Sequence, residues 1–489
     1  MRPRTLLTFL ALLAAGISAC GGGSFNAPST FMPAGRAASG SSPIKHVVIV
    51  IQENRSFDNF FATFPGADGT KVGRAAAIPS SYGCPFSIRT ETTIPLTEVD
   101  LQGKASGNWT KWYARLFNND LGHIYTNFQT AYDHQKMDGF DLESTGARGS
   151  GTPTCTYPYQ YVNPADIKPY WDMAKQYVLA DHTFQTQASG SFTAHQDLIA
   201  AGTGLSSEEA LIDTPSYFPW GCDARTPDPN KKVTGVVTAV IKRGGKVEEY
   251  GGPFPCLKYT TMRDLLDAKS VTWKFYALKV YPWTQCPKCQ GAGIWSAFDA
   301  IKAVRYSSEW DKNVSHTPNE IFSDIKKNKL PDVAWVTPTG DNSDHPQTGK
   351  DTGPSWVGSI VNAIGKSSYW DSTAVIVVWD DWGGFYDHVQ PPTPRDWQGG
   401  PGFRVPMLII SPYVKPHVEH LVYQFGSVLH FIEDNWGLGT LGRNDAHSNS
   451  IRGAFDFNMK PRPFKVIQTK YSQSFFLHQP YSGQPLDTE

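Results

Sequence analysis

Five β-branched residues in a row, Val47-Val48-Ile49-Val50-Ile51, lead through Gln52 into Glu53-Asn54-Arg55-Ser56-Phe57-Asp58. A half-buried strand alternates apolar and polar side chains. A continuous run of this kind instead fits a strand covered on both faces, as in a parallel sheet packed between helices. Open α/β sheets bind ligands just outside the carboxyl ends of their strands. A carboxylate and an amide at the exit of a buried strand therefore make a candidate hard-cation or phosphate site.

The pattern repeats. Tyr177 to Ala180, Val271 to Ala277, Val333 to Val336, Ala374 to Trp379 and Met407 to Ile410 read as further buried strands. Helical stretches separate several of them. Trp356, Val357, Ile360, Val361 and Ile364 form a helical stripe, and Val428 to Ile432 begins another. Strands alternating with helices predict an α/β fold with a mostly parallel central sheet flanked by helices. Segments 71–105 and 222–256 read as insertions, the second holding a hairpin from Val236 to Glu249 that turns at Gly244-Gly245. The chain's 489 residues leave room for two or three domains. No Pro/Ser-rich linker divides it after residue 44, so one catalytic domain is expected over 44–460, with 461–489 as a tail packed on it.

Export is expected from the N-terminus. Arg2 and Arg4 precede a short apolar run from Leu6 to Ile17, and Ser18-Ala19 supplies small residues before Cys20. Residues 1–19 read as a signal peptide of the lipoprotein type, with membrane association through a lipidated Cys20. Residues 20–43, rich in Gly, Ala and Ser, read as a flexible tether. The other six cysteines suit disulfides in an exported chain. Cys222 and Cys256 flank the hairpin and are expected to pair. Cys286-Pro287-Lys288-Cys289 has no matching second pair for zinc, which favours a local disulfide. A net charge of −1 with no basic run argues against nucleic acid as a partner.

Four further clusters carry chemistry. Asp380-Asp381-Trp382-Gly383-Gly384 follows the strand Ala374 to Val378, and the glycines permit a turn that aims both acids at one ion. With Glu53 and Asn54 they would offer four oxygen donors to one divalent metal ion. Ser189-Gly190-Ser191-Phe192-Thr193-Ala194-His195 puts hydroxyls at a helix start, where backbone N–H groups favour phosphate. On local sequence alone an ordinary N-cap serine is the better reading, and His195 reads as an ordinary surface or core histidine. Asp341 to Pro346 contributes His345, and Asp120-Leu121-Gly122-His123 contributes His123, both able to serve phosphoryl or leaving oxygens. No G-x-S-x-G elbow or H-E-x-x-H motif occurs. Gly365-Lys366-Ser367 lacks the first glycine of a phosphate loop.

The stretch 48–61, Val-Ile-Val-Ile-Gln-Glu-Asn-Arg-Ser-Phe-Asp-Asn-Phe-Phe, resembles the opening signature of the bacterial phospholipase C and acid phosphatase A family of phosphoesterases. The acidic-Gly-Gly-Phe-Tyr-Asp-His-Val stretch at 380–389 resembles its second signature. Lys136 to Phe140, Ser343 to Pro346 and Ser427 to Glu433 fit as well. The resemblance implies an alkaline-phosphatase-like fold and a metal held by Glu53, Asn54, Asp380 and Asp381. It implies Ser191 as nucleophile, with His123, His345 and His388 at the phosphoryl group. Around Ser191 the chain departs from the Gly-Pro-Thr/Ser-x-Pro-Asn pattern of the phospholipase branch, so Ser189 and Thr193 stay open as nucleophiles. Asp380-Asp381 stands where that branch has Asp-Glu, nearer the acid phosphatase branch.

The resulting expectation is an exported, metal-assisted phosphoric-ester hydrolase working through a phosphoseryl intermediate on phosphate esters, including phospholipid head groups. The alternatives are an acid phosphatase on phosphomonoesters and a non-catalytic surface-binding lipoprotein. A sulfatase-type enzyme would need a modification motif that Ser191-Phe192-Thr193 lacks.

Overall fold

The computed structural model describes residues 42–78, 84, 91–103, 120–145, 154–213, 221–224, 238–249, 251–279, 293–346 and 350–480. Its centre is a seven-stranded sheet: β1 (His46–Gln52), β2 (Val178–Ala180), β3 (Trp273–Tyr276), β4 (Val333–Val336), β5 (Thr373–Trp379), β6 (Met407–Ile410) and β7 (His417–Glu419). The order across the sheet is β3-β4-β1-β5-β6-β2-β7. The first six are the six apolar runs of the sequence. β7 carries polar residues on an exposed edge and had no such signature.

Only β6 runs against its neighbours; every other pairing is parallel. The carboxyl ends of β1, β2, β4, β5 and β7 therefore share one edge of the sheet. β5 is buried at every residue and β1 at all but His46, as their lack of alternation required.

The three longest helices carry an apolar stripe or are buried outright. The stripe at Trp356 to Ile364 lies in the helix Gly353–Gly365, which starts with Pro354 in its first turn. Val428 to Ile432 lies in Phe425–Trp436, closed by Gly437 at φ +60°. The helix Ser191–Ala200 is buried along its whole length and is tied to the sheet by Trp335 Nε1 donating to Leu198 O at 3.0 Å. A helix enclosed in this way holds its N-terminus in a fixed place.

The expected hairpin forms between Val240–Lys242 and Val247–Glu248, with Gly244 and Gly245 both at positive φ, and Glu209–Leu211 adds a third strand. Cys222 and Cys256 are bonded, with Cα atoms 4.5 Å apart, and Cys84 pairs with Cys155. Cys286, Cys289, the N-terminal segment 1–41 and residues 481–489 lie outside the described residues. Asn362 exchanges two hydrogen bonds with the backbone of Ile467, and Trp370 Nε1 donates to Arg462 O. Among the described residues no helix is long and apolar enough to cross a membrane.

Candidate active site

β1 and β5 are parallel neighbours in register, Gln52 opposite Trp379. Their exits therefore lie side by side, and Asp380 N extends the ladder by donating to Gln52 O at 2.9 Å. Asp380 Oδ1 accepts from Asn54 N at 3.0 Å and Asp381 N at 2.7 Å. Asp381 Oδ1 accepts from Gly383 N at 2.7 Å. Asn54 sits at φ +56°, a left-handed conformation that Asn tolerates better than most residues. Gly383 (φ +61°) and Gly384 (φ +75°) make the turn.

A Cβ on Gly383 would meet Asn54 O at 2.3 Å. Gly383→Ala is expected to lower stability by on the order of 3 kcal/mol and to displace Asn54, because strain and clash act together. Urea titration checks it against Gly453→Ala, where nothing lies within 4 Å.

Ser191 opens its helix behind Gly190. Its Oγ donates toward Asp381 Oδ2 at 3.0 Å and Asn54 Oδ1 at 3.4 Å. The neighbouring hydroxyls go elsewhere: Ser189 Oγ to Gly190 O at 3.3 Å, Thr193 Oγ1 to Ile212 O at 2.5 Å. Both candidate alternatives are thus engaged with backbone carbonyls, and Ser191 alone of the three hydroxyls contacts the strand-end acids.

Asn54 also reaches His123, with its Nδ2 3.2 Å from His123 Nε2. His123 Nδ1 lies 2.7 Å from Leu121 O, an acceptor, which fixes the proton on Nδ1. Nε2 then faces Asn54 and, at 3.7 Å, Asp381 Oδ2. Trp382 Nε1 anchors the His123 backbone by donating to its carbonyl at 3.3 Å.

Sequence reasoning passed over His195. It lies one helical turn beyond Ser191, on the same face. Its Nε2 is 3.1 Å from Glu53 Oε1 and 3.6 Å from Asp380 Oδ2. The signal was available as the i, i+4 spacing from the hydroxyl. Glu53, His195 and Asp380 bring ligand atoms within 4.8 Å of one another and are buried. Asp380 Oδ2 accepts no hydrogen bond from any described residue. A fully buried carboxylate oxygen in that state is costly unless a cation meets it. The donor set, three carboxylates with an imidazole and an amide, fits one hard or borderline divalent ion.

Two expected residues stand outside this connected group. His345 is buried with Nε2 3.5 Å from Asp120 Oδ2. Its neighbour Asp344 is buried, with Tyr170 Oη and Trp379 Nε1 donating to Oδ2, and burial pushes the carboxyl up to about 7. His388 has both ring nitrogens committed, Nδ1 2.6 Å from Asp58 Oδ2 and Nε2 3.2 Å from Asp68 Oδ1. Arg404, buried beside it, pairs with Asp387 at 2.8 Å. These contacts make His388 part of an ion-pair network rather than of the group around Ser191.

Burial alone would lower the His388 pKa, but the hydrogen bonds to Asp58 and Asp68 outweigh it and raise it to about 9. The imidazolium is favoured in the folded state. Its stabilisation is therefore complete below pH 6.5 and is lost as pH rises toward 9. Wild type is expected to exceed His388→Gln by on the order of 2–3 kcal/mol at pH 6, with the two converging by about pH 9.5. Denaturant melts across that range check it.

The family model "Phosphoesterase family" matches residues 44–439, which makes the chain a hydrolase of phosphoric esters. The chain belongs to that family. It is 26% identical to "Phospholipase C B" of Mycobacterium tuberculosis over 454 residues, covering 86% of this chain and 79% of that one. It is 24% identical to "Non-hemolytic phospholipase C" of Pseudomonas aeruginosa, covering 83% of this chain and 56% of that one. Among solved structures it overlaps an alkaline phosphatase superfamily protein from Vibrio parahaemolyticus at 12% identity and TM-score 0.36, over 84% of this chain and 71% of that one.

Proposed function

We propose that this chain is an exported, metal-assisted phosphodiesterase of the phospholipase C type, with Ser191 as nucleophile. The observation that carries it is the Ser191 hydroxyl, held between Asp381 and Asn54 at a helix N-terminus and beside Glu53, His195 and Asp380. One divalent ion, held by Glu53, Asn54, Asp380 and Asp381 with His195, would polarise the phosphoryl oxygens and lower the pKa of the serine hydroxyl.

The rest is the work of the protein's own groups. Asp381 Oδ2 accepts the Ser191 proton as Oγ closes on phosphorus. The Oγ–P bond forms as the bond to the leaving oxygen breaks. Backbone N–H groups in the first turn of Ser191–Ala200 point toward the equatorial oxygens, where preorganised dipoles stabilise developing charge. His123 contacts the phosphoryl group through Nε2 and, once protonated there, gives its proton to the leaving oxygen. His345, which the resemblance places at the phosphoryl group, has its Nε2 3.5 Å from Asp120 Oδ2. Water then hydrolyses the phosphoserine.

The phospholipase C names of the relatives favour a phosphodiester head group. Asp380-Asp381 favours phosphomonoesters, as in the acid phosphatase branch. Comparing p-nitrophenyl phosphorylcholine, bis-p-nitrophenyl phosphate and p-nitrophenyl phosphate, with and without chelator, separates them. The diester is expected to turn over faster, and chelator to abolish turnover. No cleavage of any ester with any divalent metal sinks the reading. Two disulfides support export, and mass spectrometry of the mature N-terminus tests acylation at Cys20.

A further inference from the structure

The same edge of the sheet carries a second cluster of ligating groups, displaced from the active site by two strands. β2 and β7 pair in parallel, Ala180 opposite Glu419, so the residues just past them emerge together. These are Asp181, His182 and His420. Their ligand atoms lie within 4.8 Å of one another. His420 Nδ1 is 3.0 and 2.9 Å from the two oxygens of Asp181. His182 Nδ1 is 3.3 Å from Asp181 Oδ1 and 3.1 Å from His420 O.

The partners of the two His182 ring nitrogens make this arrangement informative. Its Nε2 is 3.1 Å from Asp68 Oδ2, and Asp68 Oδ1 is in turn 3.2 Å from His388 Nε2. A carboxylate only accepts, so His182 Nε2 donates to Asp68. Its Nδ1 faces Asp181 Oδ1 and His420 O on the opposite side of the ring. A carboxylate that holds one imidazole nitrogen while the other faces outward is the outer-shell arrangement that orients metal-bound histidines.

A neighbouring cluster shows the contrast. Asp58, Asp387 and His388 also converge, but there Arg404 supplies the cation, with Nε 2.8 Å from Asp387 Oδ1 and Nη2 3.5 Å from Asp58 Oδ1. Among the described residues no Lys or Arg side chain pairs with the buried carboxylate of Asp181; its ionic partners are His182 and His420.

We infer that Asp181, His182 and His420 form a second divalent-metal site, separate from the Ser191 centre and open to solvent. Two imidazoles and a carboxylate select a borderline-soft ion of the zinc, cobalt or nickel class over magnesium or calcium. The His420 side chain is 58% exposed and His182 22%, so an ion enters without unfolding, and water completes its coordination. The bound ion ties the edge strand β7 to β2 and, through Asp68, to the loop that follows the helix Phe57–Phe61.

The test uses the full mature chain, stripped with chelator and titrated with Zn²⁺ by calorimetry and with Co²⁺ by visible absorption. Wild type is expected to bind one equivalent of Zn²⁺ more than the double variant His182→Ala/His420→Ala. Asp380→Asn is expected to keep that equivalent. Zn²⁺ should raise the melting temperature of Asp380→Asn, and the rise should vanish when the two histidines are also replaced. Turnover of the double variant under metal-replete conditions should match wild type. Circular dichroism checks that it folds, and the single variant His420→Ala, at an exposed position, provides the same comparison if it does not. The inference is overturned if the histidine variants bind Zn²⁺ with wild-type stoichiometry and affinity, or if Asp380→Asn alone abolishes all binding. It stands apart from the reading of Ser191, whose failure would leave this stoichiometry unchanged.

Discussion

Ser191→Ala is expected to lower kcat on a phosphodiester by about 10,000-fold, while Ser189→Ala and Thr193→Ala stay within about threefold of wild type. The three hydroxyls lie within five residues, so the prediction rests on where each points. Ser191 Oγ faces Asp381 Oδ2 and Asn54 Oδ1, across from the strand-end acids. Ser189 and Thr193 donate to backbone carbonyls. Removing the Thr193 hydroxyl orphans Ile212 O and is expected to cost about 1 kcal/mol of stability, not turnover. The enclosed helix Ser191–Ala200 leaves little freedom for another hydroxyl to take over. Single-turnover quench with a chromogenic diester, followed by mass analysis for a phosphorylated peptide, decides the matter. Near-wild-type turnover in Ser191→Ala with loss in either neighbour would move the nucleophile.

Asp380→Asn is expected to reduce turnover by about 1,000-fold and to remove the ion from the active centre while leaving the fold intact. The amide Oδ1 still accepts from Asn54 N and Asp381 N, the two bonds that shape the turn. What disappears is the charge on Oδ2, the buried oxygen that accepts no hydrogen bond from the described residues. Glu53 and Asp381 lie close by, so deleting one of three buried negative charges relieves repulsion in the metal-free protein. The metal-free variant is therefore expected to melt at or above the wild-type temperature, even as activity collapses. Sites built for function commonly sacrifice stability in this way. Metal analysis, kcat and thermal melts on one preparation test all three statements. A variant that keeps both its ion and its turnover refutes the assignment.

Much of the fold was legible because burial on both faces leaves a simple trace. Val47 to Ile51 and Ala374 to Val378 are unbroken apolar runs, and the sheet buries both. β7 was not legible, since His417-Val418-Glu419 is a short, partly exposed edge held by its ladder to β2 rather than by apolar content. Disulfide partners divided in the same way. Cys222 and Cys256 flank one local hairpin, whereas Cys84 and Cys155 are 71 residues apart and meet only through the tertiary fold.

The site followed the same division. Glu53-Asn54 and Asp380-Asp381 could each be read as polar residues at a strand exit, because local hydrophobicity marks where a strand ends. That the two exits are neighbours depends on β1 pairing with β5 across more than 300 residues, and no local pattern records it. His195 looked like a core histidine and lies against Glu53; His388 sits in a signature and faces Asp58 and Asp68. The sequence by itself determined which residues carry charge and where each strand stops, since both are properties of short segments. Only the tertiary structure decided which hydroxyl meets the acids and which histidine joins them. Those are distances between segments far apart in the chain, set by strand pairing and by the buried helix that presents Ser191.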